Sequence, residues 1–197
     1  MRYCSLVSTR AASTTAQRPD GPVGRDEIVT ATLAAAVDLF AQKGPAATSI
    51  RDVAAHAGIN HGLLHRHFGN KEQLVGAVLN HLGQHLADLI AAGAPGPEIE
   101  AAIDRQLRVI ARASLDGFPI GELQTRFPNM PLVLDPLRRQ HRDELSARLA
   151  AAHAIALQLS WRLFENVLRA SAGLDDLPGD QLRQSINTEI ARITTPH

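Results

Sequence analysis

The stretch at residues 48–74, TSIRDVAAHAGINHGLLHRHFGNKEQL, decides the fold, because it has the pattern of two short helices joined by a glycine turn. Its first half carries apolar residues at the three, four and seven spacing of one face of an amphipathic helix. These residues are Ile50, Val53, Ala54 and Ala57. The side chain at position 54 is a single methyl group, so a second helix can cross closely there. The stretch therefore predicts two crossing helices.

Local capping signals predict the ends of both helices. Thr48 and Ser49 can each supply an oxygen to the first free backbone N–H groups, and Asp52 follows where a carboxylate stabilises a helix N-terminus. Gly58 comes after the last apolar residue and can adopt the left-handed conformation that ends a helix. Asn60 is then in position to cap the second helix. We expect the first helix to begin near Ser49 and the second to follow Asn60.

The second helix is predicted to have one buried face and one projecting face. The residues expected to turn inward are Ile59, Leu64 and Phe68. The residues left on the projecting face are His61, Leu63, His65 and Arg66. A capped helix that presents polar and cationic side chains after a glycine turn is typical of a helix-turn-helix unit, whose second helix lies in the major groove of DNA. We therefore expect this helix to contact DNA.

Together with its flanking sequence, this region resembles the TetR family of bacterial transcriptional repressors. Upstream, a further helix with its own apolar stripe ends at a glycine, and its residues are Leu33, Ala36, Val37, Phe40 and Gly44. Downstream, the run FGNKEQL at residues 68–74 is similar to the family's junction into a long fourth helix. The resemblance covers residues 25–82. It implies an all-α protein, with an N-terminal three-helix helix-turn-helix DNA-binding domain and a C-terminal helical domain for ligand binding and dimerisation.

The resemblance also implies a set of DNA contacts. Ser49 and Lys71 are expected near phosphates, and Arg51 near a guanine edge or a phosphate. The guanidinium group can donate two hydrogen bonds to guanine O6 and N7. His65 stands where the family usually has tyrosine, and Leu63, where it often has threonine, can touch a thymine methyl group instead. The full predicted set is Thr48, Ser49, Arg51, Asn60, His61, Gly62, Leu63, His65, Arg66, His67 and Lys71.

Histidine is concentrated in this region, since four of the nine in the chain are His56, His61, His65 and His67. Imidazole groups in general gain a proton as the pH falls toward about 6.5, and each protonated imidazole that faces a phosphate adds a cationic contact. Our hypothesis is that affinity for the operator rises as the pH falls from about 8 to about 6. The alternative is that His67 packs inward and that His56 is only solvated.

Composition is consistent with an all-α DNA-binding protein that depends on a local cationic patch. Aromatic residues make up 4% of the 197 residues, prolines and glycines separate the apolar runs, and no alternating strand pattern is present. The formal net charge is +0, so a local patch must supply the attraction to DNA. The only cysteine, Cys4, excludes an internal disulfide and fits a reducing compartment. Without an apolar run of ~20 residues or a signal peptide, we expect a cytoplasmic protein with no membrane partner.

The sequence divides into three parts: a flexible N-terminal arm at residues 1–24, a DNA-binding domain at 25–72, and a helical ligand-binding and dimerisation domain at 73–197. The arm is rich in Ser, Thr, Ala and Arg; it either reaches a minor groove or is an extension without a role. Proline and glycine breaks predict later helices at residues 71–92, 97–115, 131–150, 151–172 and 180–193. In the second of these, the residues expected inside are Ile99, Ile103, Leu107 and Ile110.

The fourth helix is expected to connect a ligand pocket to the DNA-binding domain, as the resemblance implies. One of its stripes runs from Leu74 and Val78 to His81 and His85, which is expected where a helix borders a cavity. The predicted pocket residues are His81, His85, Phe118, Phe127, Trp161 and Phe164. Each also has an ordinary packing role as an alternative. We expect the effector to be a small, largely apolar molecule.

Other classes of function remain as alternatives. His81 and His85 are four residues apart, which can place two imidazoles on one metal ion, so a metal-responsive regulator is one alternative. A third ligand would have to be His141, His153 or a carboxylate, and Leu82 interrupts the zinc-hydrolase pattern. A helical carrier or adaptor that has lost DNA binding is another. We find no catalytic motif, so neither an enzyme nor a cofactor is expected.

The last two predicted helices carry strong apolar faces, and in the family such helices form a four-helix dimer interface. The resemblance therefore implies a homodimer on a palindromic operator in double-stranded DNA, with half-sites ~34–36 Å apart. A small-molecule effector in each subunit would change the spacing of the two helix-turn-helix units. A coupling free energy of about 1–3 kcal/mol is sufficient for this.

Overall fold

The computed structural model describes residues 24–195, which over that range form nine α-helices and no β-strand. The helices are α1 (Arg25–Lys43), α2 (Ile50–His56), α3 (His61–Phe68), α4 (Lys71–Ala91), α5 (Gly96–Leu115), α6 (Ile120–Leu123), α7 (Met130–Gln140), α8 (Glu144–Ala172) and α9 (Gly179–Thr194). The all-α prediction is confirmed. Of the predicted arm, only Gly24 lies within the described residues. None of the helices in this range is long and apolar enough to cross a membrane.

The main apolar core joins the helix-turn-helix unit to the following helices. Phe40 of α1, Leu64 of α3 and Val75 of α4 have almost no solvent contact, and Val109 and Ala113 of α5 belong to the same cluster. Burying one large apolar side chain contributes about 1.5–3 kcal/mol. Because this one cluster includes residues from both predicted domains, α4 and α5 give the helix-turn-helix unit a rigid support.

The segment after α6, at residues 124–127, packs against α4 near Gly76 and Asn80. The side-chain oxygen of Asn80 accepts hydrogen bonds from the backbone N–H groups of Thr125 (3.1 Å) and Arg126 (2.9 Å). Its amide nitrogen donates to the hydroxyl of Thr125 (3.1 Å). One turn earlier, a Cβ atom at Gly76 would lie 2.7 Å from the carbonyl oxygen of Leu123. The segment can therefore approach α4 this closely only because residue 76 has no side chain.

The helices predicted at residues 71–92, 97–115 and 180–193 agree with α4, α5 and α9 to within one residue at each end. The predicted boundary at residue 150 is wrong, since α7 ends at Gln140 and α8 runs from Glu144 to Ala172. Asp143 starts α8, because its carboxylate accepts hydrogen bonds from the backbone N–H and the hydroxyl of Ser146, both at 2.8 Å. No glycine or proline interrupts α8, so nothing ends it at residue 150.

The predicted inward face of α5 is only part of the surface that this helix buries, and Ile110 of that face packs against the main core. The buried residues of α5 are Val109 and Ala113, whereas the four predicted ones keep partial solvent exposure. These four are Ile99, Ile103, Leu107 and Ile110. α5 packs against α1, α4, α6 and α8. Its apolar contacts are therefore spread around the helix, and a single stripe does not describe them.

Candidate nucleic-acid interface

The first helix of the helix-turn-helix unit, α2, begins with a reciprocal cap. The backbone N–H of Asp52 donates to the hydroxyl of Ser49 (3.1 Å), and the backbone N–H of Ser49 donates to the carboxylate of Asp52 (2.8 Å). The hydrogen bond that the carboxylate accepts from the backbone N–H of Ser49, and then the hydroxyl of Ser49, lower the pKa of Asp52 below its usual value. The prediction that this helix begins near Ser49 is confirmed, and the cap fixes the backbone beside Arg51.

The turn and the start of α3 are also as predicted. Gly58 has a φ of +66°, the left-handed conformation that favours glycine. The side-chain oxygen of Asn60 then accepts a hydrogen bond from the backbone N–H of Gly62 at 2.8 Å, and α3 begins at His61. Replacing such a cap by alanine typically costs about 1 kcal/mol, so Asn60 contributes to the order of α3.

The two faces of α3 follow the prediction closely. Leu64 is fully buried, and Ile59 and Phe68 are partly buried against the main core. On the opposite side, His65 and Arg66 are exposed, as is Arg51 of α2, whereas His61 and Leu63 are half-buried. The exposed side chains that major-groove readout would use are therefore polar and cationic, while the apolar Leu63 is only partly accessible.

The histidines of α3 differ in their surroundings. The rings of His61 and His65 contact each other edge to face, with centroids 4.9 Å apart and planes at 82°. His67 is half-buried, and His56 on α2 is exposed. His61 and His65 therefore form the pair of imidazoles on the projecting face of α3.

Thr48 is placed inside the loop between α1 and α2 rather than on the exposed surface. Only 1% of its surface is accessible, and its hydroxyl donates a hydrogen bond to the carbonyl oxygen of Gly44 at 2.8 Å. The side chain therefore closes the loop in front of α2. In this position it orients the neighbouring Ser49, which is exposed.

Lys71 lies at the start of α4 beside the same loop. Its ammonium group donates a hydrogen bond to the carbonyl oxygen of Ala46 at 3.1 Å and lies 6.0 Å from the ring centroid of Phe118. Phe118 is itself packed against the main core. Phe118 therefore connects Lys71 to the helices α5–α9, here called the body. It lines neither of the two cavities beside His81 and Trp161.

His81 and His85 border a cleft of about 340 Å³ between α1, α4 and α5. Their rings are nearly parallel, with centroids 6.5 Å apart. His81 keeps part of its surface exposed, and its partial burial in the cleft, followed by the charge of His85, lowers the pKa of His81 below its usual value. Within the described part of the chain, no group of three or more His, Cys, Asp and Glu side chains is arranged to hold a metal ion. The metal-responsive alternative therefore lacks a third such ligand there.

Trp161 lines a different cavity, of about 580 Å³, between α5, α8 and α9, together with Leu182 and Ile186. Phe127 and Phe164 are about half exposed, at 50% and 54% of their surface. The six residues predicted for one pocket are thus distributed over two cavities, a core contact and two exposed positions.

Asp116, which the sequence analysis missed, joins the body to the helix-turn-helix unit. Its carboxylate accepts a hydrogen bond from the backbone N–H of Ala46 at 2.7 Å, across 70 positions of the chain. A signal was present in the sequence, because an acidic residue after Leu115 follows the C-terminus of a helix, where negative charge is disfavoured. What the sequence lacked was the partner of that carboxylate.

Comparison with known proteins decides the family. The profile of the tetR family of bacterial regulatory proteins matches residues 33–78, which contain α2 and α3. An HTH-type transcriptional repressor of Mycobacterium tuberculosis is 55% identical over 191 residues, which cover 97% of this chain and 100% of that protein. The chain belongs to the TetR family. TetR-family regulators bind DNA and small-molecule ligands, so the capped α2–α3 unit is the DNA-binding part of a transcriptional regulator.

Two further comparisons show how the similarity is distributed. The HTH-type transcriptional repressor KstR2 of Mycolicibacterium smegmatis is 45% identical over 62 residues, covering 31% of this chain and 28% of that protein. A solved tetR family transcription regulator from Shewanella sp. PV-4 superposes with a TM-score of 0.55 at 17% identity, covering 83% of this chain and 95% of the other. The second similarity concerns the fold alone.

Proposed function

We propose that this TetR-family protein is a homodimeric repressor that binds a palindromic operator and is released by a small, largely apolar molecule. The observation that carries the proposal is the exposed surface of the α2–α3 unit. There, Arg51, His65 and Arg66 are exposed on helices whose N-termini are fixed by side-chain caps. Rigid presentation of a few such side chains is what base readout in the major groove requires.

Homodimer formation is supported by an apolar face on α8. Its exposed apolar side chains are Leu145, Leu149, Leu163, Phe164 and Val167. Leu145 and Leu149 lie near the start of α8, whereas Leu163, Phe164 and Val167 lie near its end, where the backbone is kinked at Phe164 (φ −123°, ψ 18°). Exposed apolar side chains grouped on one helix are typical of an interface between subunits. Pairing of two subunits would place two α3 helices on neighbouring half-sites.

The effector site that we propose is the cavity beside Trp161. Leu182 and Ile186 provide further apolar wall, while Gln158 and Asn187 provide polar groups for orientation. The rest of the lining includes four charged side chains, which are Glu100, Arg162, Glu165 and Arg183, so the apolar part of the effector would contact only part of the wall. A volume of about 580 Å³ falls in the range usual for small-molecule sites. Because α5 and α8 both line this cavity, a ligand there can shift α5, which shares the main core with α4.

The first experiment measures binding of the purified protein to labelled DNA from the region that flanks its own gene, by fluorescence anisotropy at low salt. We expect binding that weakens as salt increases and that a scrambled DNA sequence does not reproduce. Absence of binding at low salt would contradict the proposal and favour the carrier alternative.

The second experiment uses the single tryptophan of the chain as a reporter. Extracts of lipophilic metabolites that release the protein from its operator should also change the fluorescence of Trp161. In the Trp161→Phe variant, the same extracts should release the DNA with altered efficiency. Release from the operator without any change in tryptophan fluorescence would place the effector elsewhere.

A further inference from the structure

The carboxylate of Asp116 is placed where a helix by itself disfavours it. Asp116 caps the C-terminus of α5, and the helix dipole there makes a negative charge unfavourable. The carboxylate instead accepts the 2.7 Å hydrogen bond from Ala46 in the loop between α1 and α2. This distant hydrogen bond accounts for an acidic residue at a helix C-terminus, where the helix dipole alone would disfavour it.

Both backbone polar groups of Ala46 are bound by side chains from outside the loop. Its N–H donates to Asp116, while its carbonyl oxygen accepts the hydrogen bond from Lys71 (3.1 Å). Inside the loop, the bond from Thr48 to the carbonyl oxygen of Gly44 fixes the remaining backbone. The six residues 44–49 are thus fixed by a hydrogen bond within the loop and by two hydrogen bonds from side chains outside it.

The end of α1 is shaped to let the carboxylate approach. Gly44 has a φ of +83°, and a Cβ atom at this position would lie only 2.8 Å from a carboxylate oxygen of Asp116. The positive φ favours glycine here, and the absence of a Cβ leaves the space into which the carboxylate of Asp116 reaches. The end of α1 and the carboxylate of Asp116 therefore fit closely together.

We propose that Asp116 is a positioning residue for operator binding, acting through the backbone of Ala46. It holds residues 44–49, and with them Ser49 and the start of α2, in the orientation that meets DNA. If Lys71 leaves Ala46 and binds a phosphate when DNA binds, the hydrogen bond from Ala46 to Asp116 remains and still connects Ala46 to the body. This inference rests on the proposed DNA contacts of Ser49 and Lys71.

The test compares Asp116→Ala with Asp116→Asn in the full-length protein, by operator binding in fluorescence anisotropy. Asn keeps an acceptor oxygen but has no charge, whereas Ala has neither. We expect Asp116→Ala to weaken binding roughly tenfold, within the range of couplings between distant parts of a protein. Asp116→Asn should bind at least as tightly as the unchanged protein, because the hydrogen bond is kept while a negative charge is removed from beside the loop that leads to Ser49. Asp176→Ala, in the turn between α8 and α9, controls for the change in charge.

Hydrogen exchange distinguishes a local effect at Ala46 from a general loss of stability. The amide of Ala46 should exchange faster in Asp116→Ala, while amides in the core of α8 and the melting temperature stay close to those of the unchanged protein. Equal operator affinity for Asp116→Ala and the unchanged protein would overturn the inference. So would a parallel change in both Asp116 variants, since that would be an effect of charge alone. If the unchanged protein binds no DNA, the proposed function itself fails.

Discussion

Arg51 and Lys71 should respond differently to substitution, because a guanidinium can recognise a base while an ammonium mainly neutralises phosphate. Arg51 is exposed on α2, behind the cap that Ser49 provides. We expect Arg51→Ala to cost about 1–3 kcal/mol of discrimination at one base pair of each half-site. Lys71→Ala should weaken binding to all sequences alike and reduce the salt slope by about 1. Anisotropy titrations against single-base operator variants at several salt concentrations measure both effects.

An exposed cation far from α3 provides the control for this pair. Arg139→Ala on α7 removes the same charge as Arg51→Ala and should leave discrimination between bases unchanged. If Arg51→Ala weakens binding equally to every single-base variant, then Arg51 contacts phosphate and base readout belongs to α3.

His81 should make the stability of the fold dependent on pH. Burial, and then the charge of His85, lower the pKa of His81 from its usual value of about 6.5. As the pH falls through about 6.5, the unfolded chain binds more protons than the folded one, so the free energy of unfolding decreases. Above that pH the residue is neutral in both states and contributes no dependence. Melting temperatures between about pH 5 and pH 8 should therefore fall on the acidic side, and less so in His81→Gln.

The exposed His56 offers a matched comparison for that measurement, because it is a histidine of α2 outside the cleft. His56→Gln should leave the acid dependence of the melting temperature unchanged. A His81→Gln variant that loses stability in acid as steeply as the unchanged protein would assign the effect to other groups.

At the scale of the helix, α3 carries two imidazoles on its projecting face. His61 and His65 contact each other edge to face. Imidazole groups in general gain a proton as the pH falls toward about 6.5. Our hypothesis from the sequence is therefore that affinity for the operator and its salt dependence rise as the pH falls from about 8 to about 6. The double variant His61→Gln/His65→Gln should bind with little dependence on pH. An unchanged pH profile in this variant, with the protein still folded, would eliminate these histidines as the cause.

The close packing of α4 against the segment after α6 can be tested by substituting Gly76. In Gly76→Ala, the new Cβ would lie 2.7 Å from the carbonyl oxygen of Leu123, which cannot rotate away as a side chain can. We expect a loss of about 1–3 kcal/mol from this overpacking, despite the better helix propensity of alanine. Gly121→Ala in α6 is the matched control, since nothing lies within 4 Å of a Cβ there. Equal melting temperatures for the two variants would contradict the packing argument.

How far the sequence predicts these elements depends on the range of the interactions involved. The caps by Ser49 and Asn60 and the turn at Gly58 act over two or three residues, and their positions were predicted correctly. The face that α5 buries depends on four neighbouring helices, so one stripe of residues could not indicate it. The bond from Asp116 to Ala46 spans 70 positions, and no local pattern encodes a contact of that range.

For the whole molecule, a near-neutral net charge makes dimerisation important for DNA binding. With a formal charge of +0, attraction to DNA is local to each helix-turn-helix unit. A second unit on the same molecule would then supply much of the affinity, because the second binding event is intramolecular. Weak binding by one subunit and strong binding by two is the behaviour we expect.

Disrupting the apolar face of α8 should separate these two contributions. Val167 is 66% exposed in the single chain, so a substitution there costs an isolated subunit little, within about 0.5 kcal/mol as for other surface positions. In a dimer that buries this face, Val167→Glu would place an unpaired carboxylate in an apolar interface. We expect a monomer in analytical ultracentrifugation and an operator affinity reduced roughly a hundredfold or more, by loss of the second half-site. Leu132→Glu on α7 makes a similar change at another exposed apolar residue and should remain dimeric. A Val167→Glu protein that is still a dimer and binds as before would mean that another surface joins the subunits.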